Sequence, residues 1–226
     1  MMRSQPTARS KGRRNLAAVL IAIVFLTACS GSGSNSSASS GDGGPILAGY
    51  EREPEPTVGS ISLPAANRDN NAFAFQADTG ELLMVAFGFT SCPDICPTTL
   101  ADIRLAFNQL GPRAGEVDLA WVSVDPERDD AESSANYVEA FVADGIALRT
   151  DDAEQLLIAA DAFGVTFIIQ ENEAGETEVA HTPNVFVVDD TGSIILTWPF
   201  GVPADDMASD GCDWMLRLLT APREAK

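Results

Sequence analysis

The sequence predicts an α/β fold, a central mixed β-sheet flanked by helices with short extra strands at its N-terminal side. Three observations lead there. An apolar run, Leu82 to Phe89, has the length and flanks of a buried strand and leads directly into a helix-forming segment opened by Pro97. Apolar runs then alternate with segments of helical spacing, the order that builds parallel strands joined by helical crossovers. Near the end, two apolar runs bracket Asp189-Asp190-Thr191-Gly192, a hairpin signal, and one more helical segment follows.

Taken in order, Ile61 to Leu63 and Ala72 to Gln76 (AFAFQ, period two) read as short leading strands and hairpin candidates. Leu82 to Phe89 is too short for a membrane span, and Asp78-Thr79-Gly80 and Thr90-Ser91 punctuate its ends. The helix from Pro97 stops at Leu110 and Gly111. Val117 to Val124 is the next strand, and Ala131 to about Ala143 the next helix. Thr150-Asp151-Asp152 supplies side-chain oxygens to cap a helix over Ala153 to Phe163. Val165 to Gln170 reads as a strand, Glu171 to Thr177 as a polar turn, and Val185 to Val188 with Ser193 to Trp198 as a hairpin. Ala204 to Thr220 forms the final helix. This is the order of a thioredoxin-like fold.

The first 28 residues stand apart. They hold Arg3, Arg9, Lys11, Arg13 and Arg14, no acidic residue, and the apolar run Leu16 to Leu26. A basic flank and a short apolar core describe an export signal. Leu26-Thr27-Ala28-Cys29 resembles the lipobox of bacterial lipoproteins, which implies cleavage before Cys29 and a lipid on its sulfur. The predicted organisation is therefore a signal peptide over 1–28, a lipidated Cys29 and linker over 29–57, and a folded domain over 58–226. The linker starts with a Ser/Gly tether, Ser30 to Gly44, of roughly 20 Å r.m.s. span. The chain is thus expected to be exported and anchored by lipid to the bacterial cell membrane, with the domain on the extracytoplasmic side.

Losing residues 1–28 takes away five of the 14 basic residues and none of the 33 acidic ones, which leaves a charge of about −24. Such a surface argues against nucleic acid as a partner and for cationic ligands or basic partner patches. With Cys29 assigned to lipid, three cysteines remain, so at least one thiol lies outside any internal disulfide.

The chemistry gathers at Cys92 and Cys96, which stand where a strand passes into a helix. Residues four apart share a helix face, so both sulfurs can reach one metal ion or each other. A helix N-terminus is expected to lower a thiol pKa, because its amide donors favour the thiolate. His181 is the only histidine, in Ala180-His181-Thr182-Pro183-Asn184 ahead of the strand at Val185. In a thioredoxin-like fold this loop faces the cysteine-bearing helix end. Two thiolates and one imidazole make a soft set suited to Cu(I) and able to hold Cu(II) or Zn(II). The plainer reading of His181 is an ordinary structural residue. Cys212, on the final helix, reads first as a small buried or half-buried thiol, with intermolecular pairing or a second metal contact as the alternatives.

FGFTSCPDICPTTL, then VSVDPERD, a single histidine and VFVVDDTG, together resemble the Sco/SenC family of copper-binding, membrane-attached thioredoxin-fold proteins. The resemblance covers roughly Val58 to Leu219. It implies that Cys92, Cys96 and His181 bind one copper and that the protein assists assembly of the copper centre of cytochrome c oxidase subunit II. It would do so by handing over copper, by reducing the subunit's cysteine pair, or both. A different copper acceptor, a thiol reductant or a copper donor protein are further partners of that kind. Asp94 and Asp125 occupy acidic positions of the same motifs and are candidates for supporting the ligands, with helix capping or a turn as their simpler role. Pro183 falls where thioredoxin-like reductases carry a cis-proline facing their dithiol, so Thr182–Pro183 is expected to be cis. That position favours the alternative function, a thiol-disulfide oxidoreductase using Cys92 to attack and Cys96 to resolve, whereas the CxxxC spacing favours a metallochaperone over an enzyme.

Overall fold

The computed structural model of the chain describes residues 46–220. The expected signal peptide, Cys29 and the Ser/Gly tether lie outside the described residues. Among the described residues no helix is long and apolar enough to cross a membrane.

Among the described residues nine strands and four α-helices follow one another as β1 (Ser62–Ala65), β2 (Asn71–Ala74), β3 (Leu82–Gly88), α1 (Ile95–Leu110), β4 (Val117–Ser123), α2 (Ala131–Glu139), β5 (Ile146–Leu148), α3 (Ala153–Phe163), β6 (Phe167–Glu171), β7 (Thr177–His181), β8 (Val185–Val188), β9 (Ile194–Trp198) and α4 (Ala204–Thr220), with a short 3-10 helix, Gly111–Glu116, between α1 and β4. Seven strands form one mixed sheet in the order β2-β1-β5-β4-β3-β8-β9. β3, β4 and β5 run parallel, as the helical crossovers require, while on one side β8 is antiparallel to β3 and β9 to β8, and on the other β1 is antiparallel to β5 and β2 to β1. Among the described residues β6 and β7 pair only with each other, as a separate two-stranded arm.

Every residue of β3 is buried, because both faces of the sheet are covered. Leu82, Met84 and Ala86 point into a core shared with Leu100, Ile103 and Ala106 of α1, Val138 of α2 and Met207 and Met215 of α4. Leu83, Val85 and Phe87 point the other way, onto Leu156, Ala159 and Phe163 of α3. On that side Phe163 stacks edge-on against Phe75, Phe87 and Phe186, with ring centroids 4.9 to 5.4 Å apart. The predicted cap of α3 is present, with the Asp152 carboxylate accepting the N–H groups of Glu154 and Gln155.

Two strands carry no advance signal. β5 is three residues long, and β7 starts at Thr177, the last residue of the stretch read as a polar turn, and runs into Ala180 and His181, read as a loop. α2 closes at Glu139, where the helix gives way to turns leading to Gly145.

Contacts with the body begin ahead of Val58. The buried Asp210 of α4 accepts N–H groups from Ala48 and Gly49 at 3.0 Å and the Trp198 indole N–H at 2.8 Å. Tyr50 then bridges to Thr197 and Thr57 to Ser193, so residues 48–57 form a strap along the outer edge of β9. A sheet edge covered in this way is protected from pairing with other chains.

Candidate metal centre

The centre is assembled by three segments at one end of the sheet. β3 ends at Gly88, and Phe89 and Thr90 carry the backbone over the end of the sheet to the cysteines. Thr90 is held by Asp129, a fully buried carboxylate that accepts the Thr90 N–H at 3.0 Å, the Thr90 hydroxyl at 2.5 Å and the Ser123 hydroxyl at 2.6 Å. Arg149 donates from Nε to the Asp129 carbonyl at 2.6 Å and fixes that turn in place. A buried carboxylate is tolerated because these donors replace its water, and in return it sets the start of the cysteine loop.

Cys92 is half-buried in that loop, and Cys96 is the second residue of α1. The Cys96 N–H is one of the donors that a helix leaves unpaired in its first turn, and it donates to Cys92 Sγ at 3.3 Å. The first sulfur thus fills the place of a capping acceptor. Both side chains are unbonded thiols. Burial pushes the Cys96 thiol well above the usual range, the hydrogen bond with Cys92 adds to this, and a backbone hydrogen bond from Phe89 opposes it. The expected lowering at a helix N-terminus is therefore overturned at Cys96: its sulfur faces inward, and the loss of water outweighs the amide donors.

His181 arrives as the last residue of β7. Its Nδ1–H donates to the Thr182 carbonyl at 3.0 Å, which leaves Nε2 as the bare nitrogen, 3.4 Å from Cys96 Sγ. Burial lowers its pKa, against the smaller effect of the Thr182 bond, so the ring is kept neutral and ready to ligate. The Phe89 ring meets it edge-on at 6.0 Å.

The ligand atoms of Cys92, Cys96 and His181 all lie within 4.8 Å of one another. A three-coordinate ion with bonds of about 2.3 Å to sulfur and 2.0–2.1 Å to nitrogen needs donor separations of roughly 3.8–4.0 Å. The donors fit such an ion with sub-ångström adjustment. Two thiols that become thiolates and one neutral imidazole form a soft set, the kind that selects Cu(I).

The other sequence candidates fall around this trio. Asp94 is exposed at the start of α1, and only its backbone carbonyl serves the helix, accepting from Thr98. Asp125 is buried in a turn, with its carboxylate 2.5 Å from Arg128 Nε and its carbonyl accepting from Arg128 and Asp129. Pro183 lines a small enclosed space with Cys96, Trp121 and His181. The Thr182–Pro183 bond is not cis: among the described residues the cis bond is Glu53–Pro54. Thr182 is stitched to Thr166 where the chain leaves β7, its N–H donating to the Thr166 carbonyl and its hydroxyl accepting the Thr166 N–H. Cys212 is half-buried on α4, away from the trio.

Two residues were not singled out in advance. Asp129 sits among Asp125, Glu127 and Asp130, and nothing in that acidic run marks the one that turns inward. Gly88 did leave a signal, since a glycine inside a strand pattern marks close approach. A Cβ there would lie 2.9 Å from Cys96 Sγ and 3.0 Å from Trp121 Nε1.

Residues 53–215 match the SCO1/SenC family. A putative copper-binding protein of Stutzerimonas stutzeri is 33% identical over 133 residues, which cover 58% of this chain and 65% of that relative. The matched stretch thus spans just under two thirds of the relative's length. Among solved structures, copper-bound ScoI of Arabidopsis thaliana aligns with a TM-score of 0.61 at 26% identity, covering 70% of this chain and 96% of that one. Apo Sco1 of Thermus thermophilus aligns with a TM-score of 0.60 at 30% identity, covering 77% and 96%.

Proposed function

Because the chain belongs to the SCO1/SenC family, we propose that it is a copper chaperone, carrying one Cu(I) on Cys92, Cys96 and His181 toward a copper centre under assembly. The acceptor by this reading is cytochrome c oxidase subunit II, and the carrier is an exported protein held to the bacterial cell membrane through Cys29. The observation that carries the reading is the convergence of two sulfurs and one bare imidazole nitrogen from a loop, a helix and a separate strand pair. Copper is here the cargo. Three donors leave it open to an incoming thiolate, so ligands can be exchanged one at a time. The neutral His181 ring is the ligand that leaves at least charge behind when it lets go.

Anaerobic titration of the reduced full chain with Cu(I), in competition with a chromophoric chelator, tests this. One tightly bound equivalent is expected, lost in Cys92→Ser and Cys96→Ser and weakened in His181→Ala. Unchanged stoichiometry and affinity in His181→Ala would remove that ligand from the assignment. Metabolic labelling with a palmitate analogue, compared between the native chain and Cys29→Ala, tests the anchor.

A second reading has one observation in its favour. Cys92 is accessible and receives the Cys96 N–H, while Cys96 is buried and held as a thiol, the division of labour of an attacking and a resolving cysteine. In that chemistry the Cys92 thiolate opens a partner disulfide and the mixed disulfide forms. Cys96 then displaces the partner thiol, leaving a Cys92–Cys96 disulfide and a reduced partner. Turnover of a disulfide substrate by copper-free protein, with an added dithiol as reductant, separates the two.

A further inference from the structure

Two open grooves of about 840 and 380 Å³ share Phe89, Pro93, Val179 and Ala180 and so make one trough. It starts at Cys92 and His181 and runs outward between the cysteine loop and β7. Residues 176–180 line it one after another. From β6 only the alternate residues Ile168 and Gln170 reach it, the partners of Ala180 and Glu178, so the trough follows β7 and overlaps one face of the arm.

That edge has no strand beside it: among the described residues β7 pairs with β6 alone. Its outward groups follow from the ladder. The Asn172 N–H donates to the Glu176 carbonyl and the Thr182 N–H to the Thr166 carbonyl, which marks both as hydrogen-bonded pairs. Alternation then turns the N–H and C=O of Thr177, Val179 and His181 away from β6 and into the trough.

The charge along this edge has one sign. Glu176 and Glu178 are exposed and line the trough, Glu171 and Glu173 lie elsewhere on the same arm, and residues 167–181 hold no Lys or Arg. Across the trough Asp94 is exposed, and the one cation, Arg128, is already engaged by Asp125. Phe89, Pro93 and Ile168 supply apolar surface, with Ile168 62% exposed.

We propose that β7 is a strand-addition edge: an extended segment of the copper acceptor, basic and apolar in alternation, pairs with Thr177 and Val179 and is thereby aimed at the metal centre. The proposal rests on the copper-carrier reading and names how the acceptor is received. Main-chain bonds hold the segment, and lysine or arginine opposite Glu176 and Glu178 selects it. A strand advances about 3.3 Å per residue, so a cysteine two positions past the Val179 contact arrives beside His181. The same acidic rim repels a second copy of this chain, whose formal charge is −19.

The probe is a short synthetic peptide of alternating Lys and Val with a central Ser where the acceptor would carry Cys, so docking is read without transfer. It is titrated into the ¹⁵N-labelled, copper-free full chain in mild detergent, following amide shifts and hydrogen exchange. Binding is expected, with new protection at Thr177, Val179 and His181. At least tenfold weaker binding is expected for the peptide with alternate amides N-methylated, and for Glu176→Lys/Glu178→Lys. Thr177→Pro removes an outward N–H but no bond of the hairpin, so it should weaken docking and leave the Cu(I) titration unchanged. Equal binding of the N-methylated peptide, protection that bypasses β7, or no binding overturns the proposal. Should Thr177→Pro misfold by circular dichroism, the N-methylated peptide on the unaltered chain decides. A chain that takes copper but not the peptide sinks the edge alone, whereas one that takes the peptide but not copper sinks the carrier reading.

Discussion

Gly88→Ala is the sharpest test of the centre, because it changes no ligand. The added methyl would sit 2.9 Å from Cys96 Sγ, 3.5 Å from Cys96 Cβ and 3.0 Å from Trp121 Nε1. Comfortable contact between such atoms needs about 3.5–4.0 Å, so something must retreat by roughly 0.6–1 Å. Trp121 has nowhere to go: it is 1% exposed, and the Tyr137 ring packs on it with centroids 5.2 Å apart. Cys96 therefore yields, and its sulfur leaves a position now 3.4 Å from His181 Nε2. Overpacking of this kind costs about 1–3 kcal/mol. At roughly 2–4 °C per kcal/mol for a domain of this size, Tm should fall by ~2–12 °C. Metal bonds tolerate displacements of about 0.2 Å, so Cu(I) affinity should drop at least ~10-fold, or ~1.4 kcal/mol. Calorimetry of the copper-free chain and a chelator-competition titration read the two effects. Gly115→Ala is the control, since no atom lies within 4 Å of its added Cβ. A Gly88→Ala protein with unchanged Tm and unchanged affinity would refute the packing argument.

Asp129→Ala strips the acceptor from Thr90 and Ser123 and should cost about 3 kcal/mol in denaturant unfolding, with weaker copper binding as the loop slackens. A loss under ~1 kcal/mol would show that this carboxylate does not hold the loop. The copper-free protein should also lose stability at both ends of the pH range. The Cys96 pKa is raised in the fold, so above roughly 8.5 the unfolded chain ionises first and the unfolding free energy declines as pH rises. The His181 pKa is lowered, so below roughly 6.5 the unfolded chain takes the proton first and stability declines as pH falls. Cys96→Ala should flatten the alkaline slope and His181→Ala the acid one; unaltered slopes would contradict the assignments. Asp210→Ala leaves the N–H groups of Ala48, Gly49 and Trp198 without their acceptor and should cost ~2–3 kcal/mol. Limited proteolysis should then cut within residues 46–57 while the copper titration stays the same. A strap that remains resistant would mean Asp210 does not pin it.

How far the sequence spoke depended on burial. β3, α3, β8 and α4 were legible because a buried strand or an amphipathic helix imprints its period on the chain, and Cys92 and Cys96 were legible from their place at a strand-to-helix junction, although α1 starts at Ile95 and leaves Cys92 in the loop. β7 was not. Its residues are mostly exposed, so no apolar alternation marks it, although it delivers the third ligand. β5 is too short to show a period. The cis expectation at Pro183 came from a position in a motif, and a motif does not carry the contacts of the neighbouring Thr182, which is bonded to Thr166 sixteen residues away in the chain. The pKa expectation at Cys96 likewise followed from the helix end, whereas the sign was decided by which way the sulfur faces, a tertiary fact.

The strap on β9 has one more consequence. Tyr50 sits opposite Thr197, the neighbour of Trp198; Trp198 is opposite Val185, and Val185 is opposite Ala86, two residues short of Gly88. The polypeptide thus comes aboard at the very end where the sulfurs lie, displaced sideways by three strand spacings, roughly 14 Å. The first described residues therefore lie on the dithiol's side of the sheet.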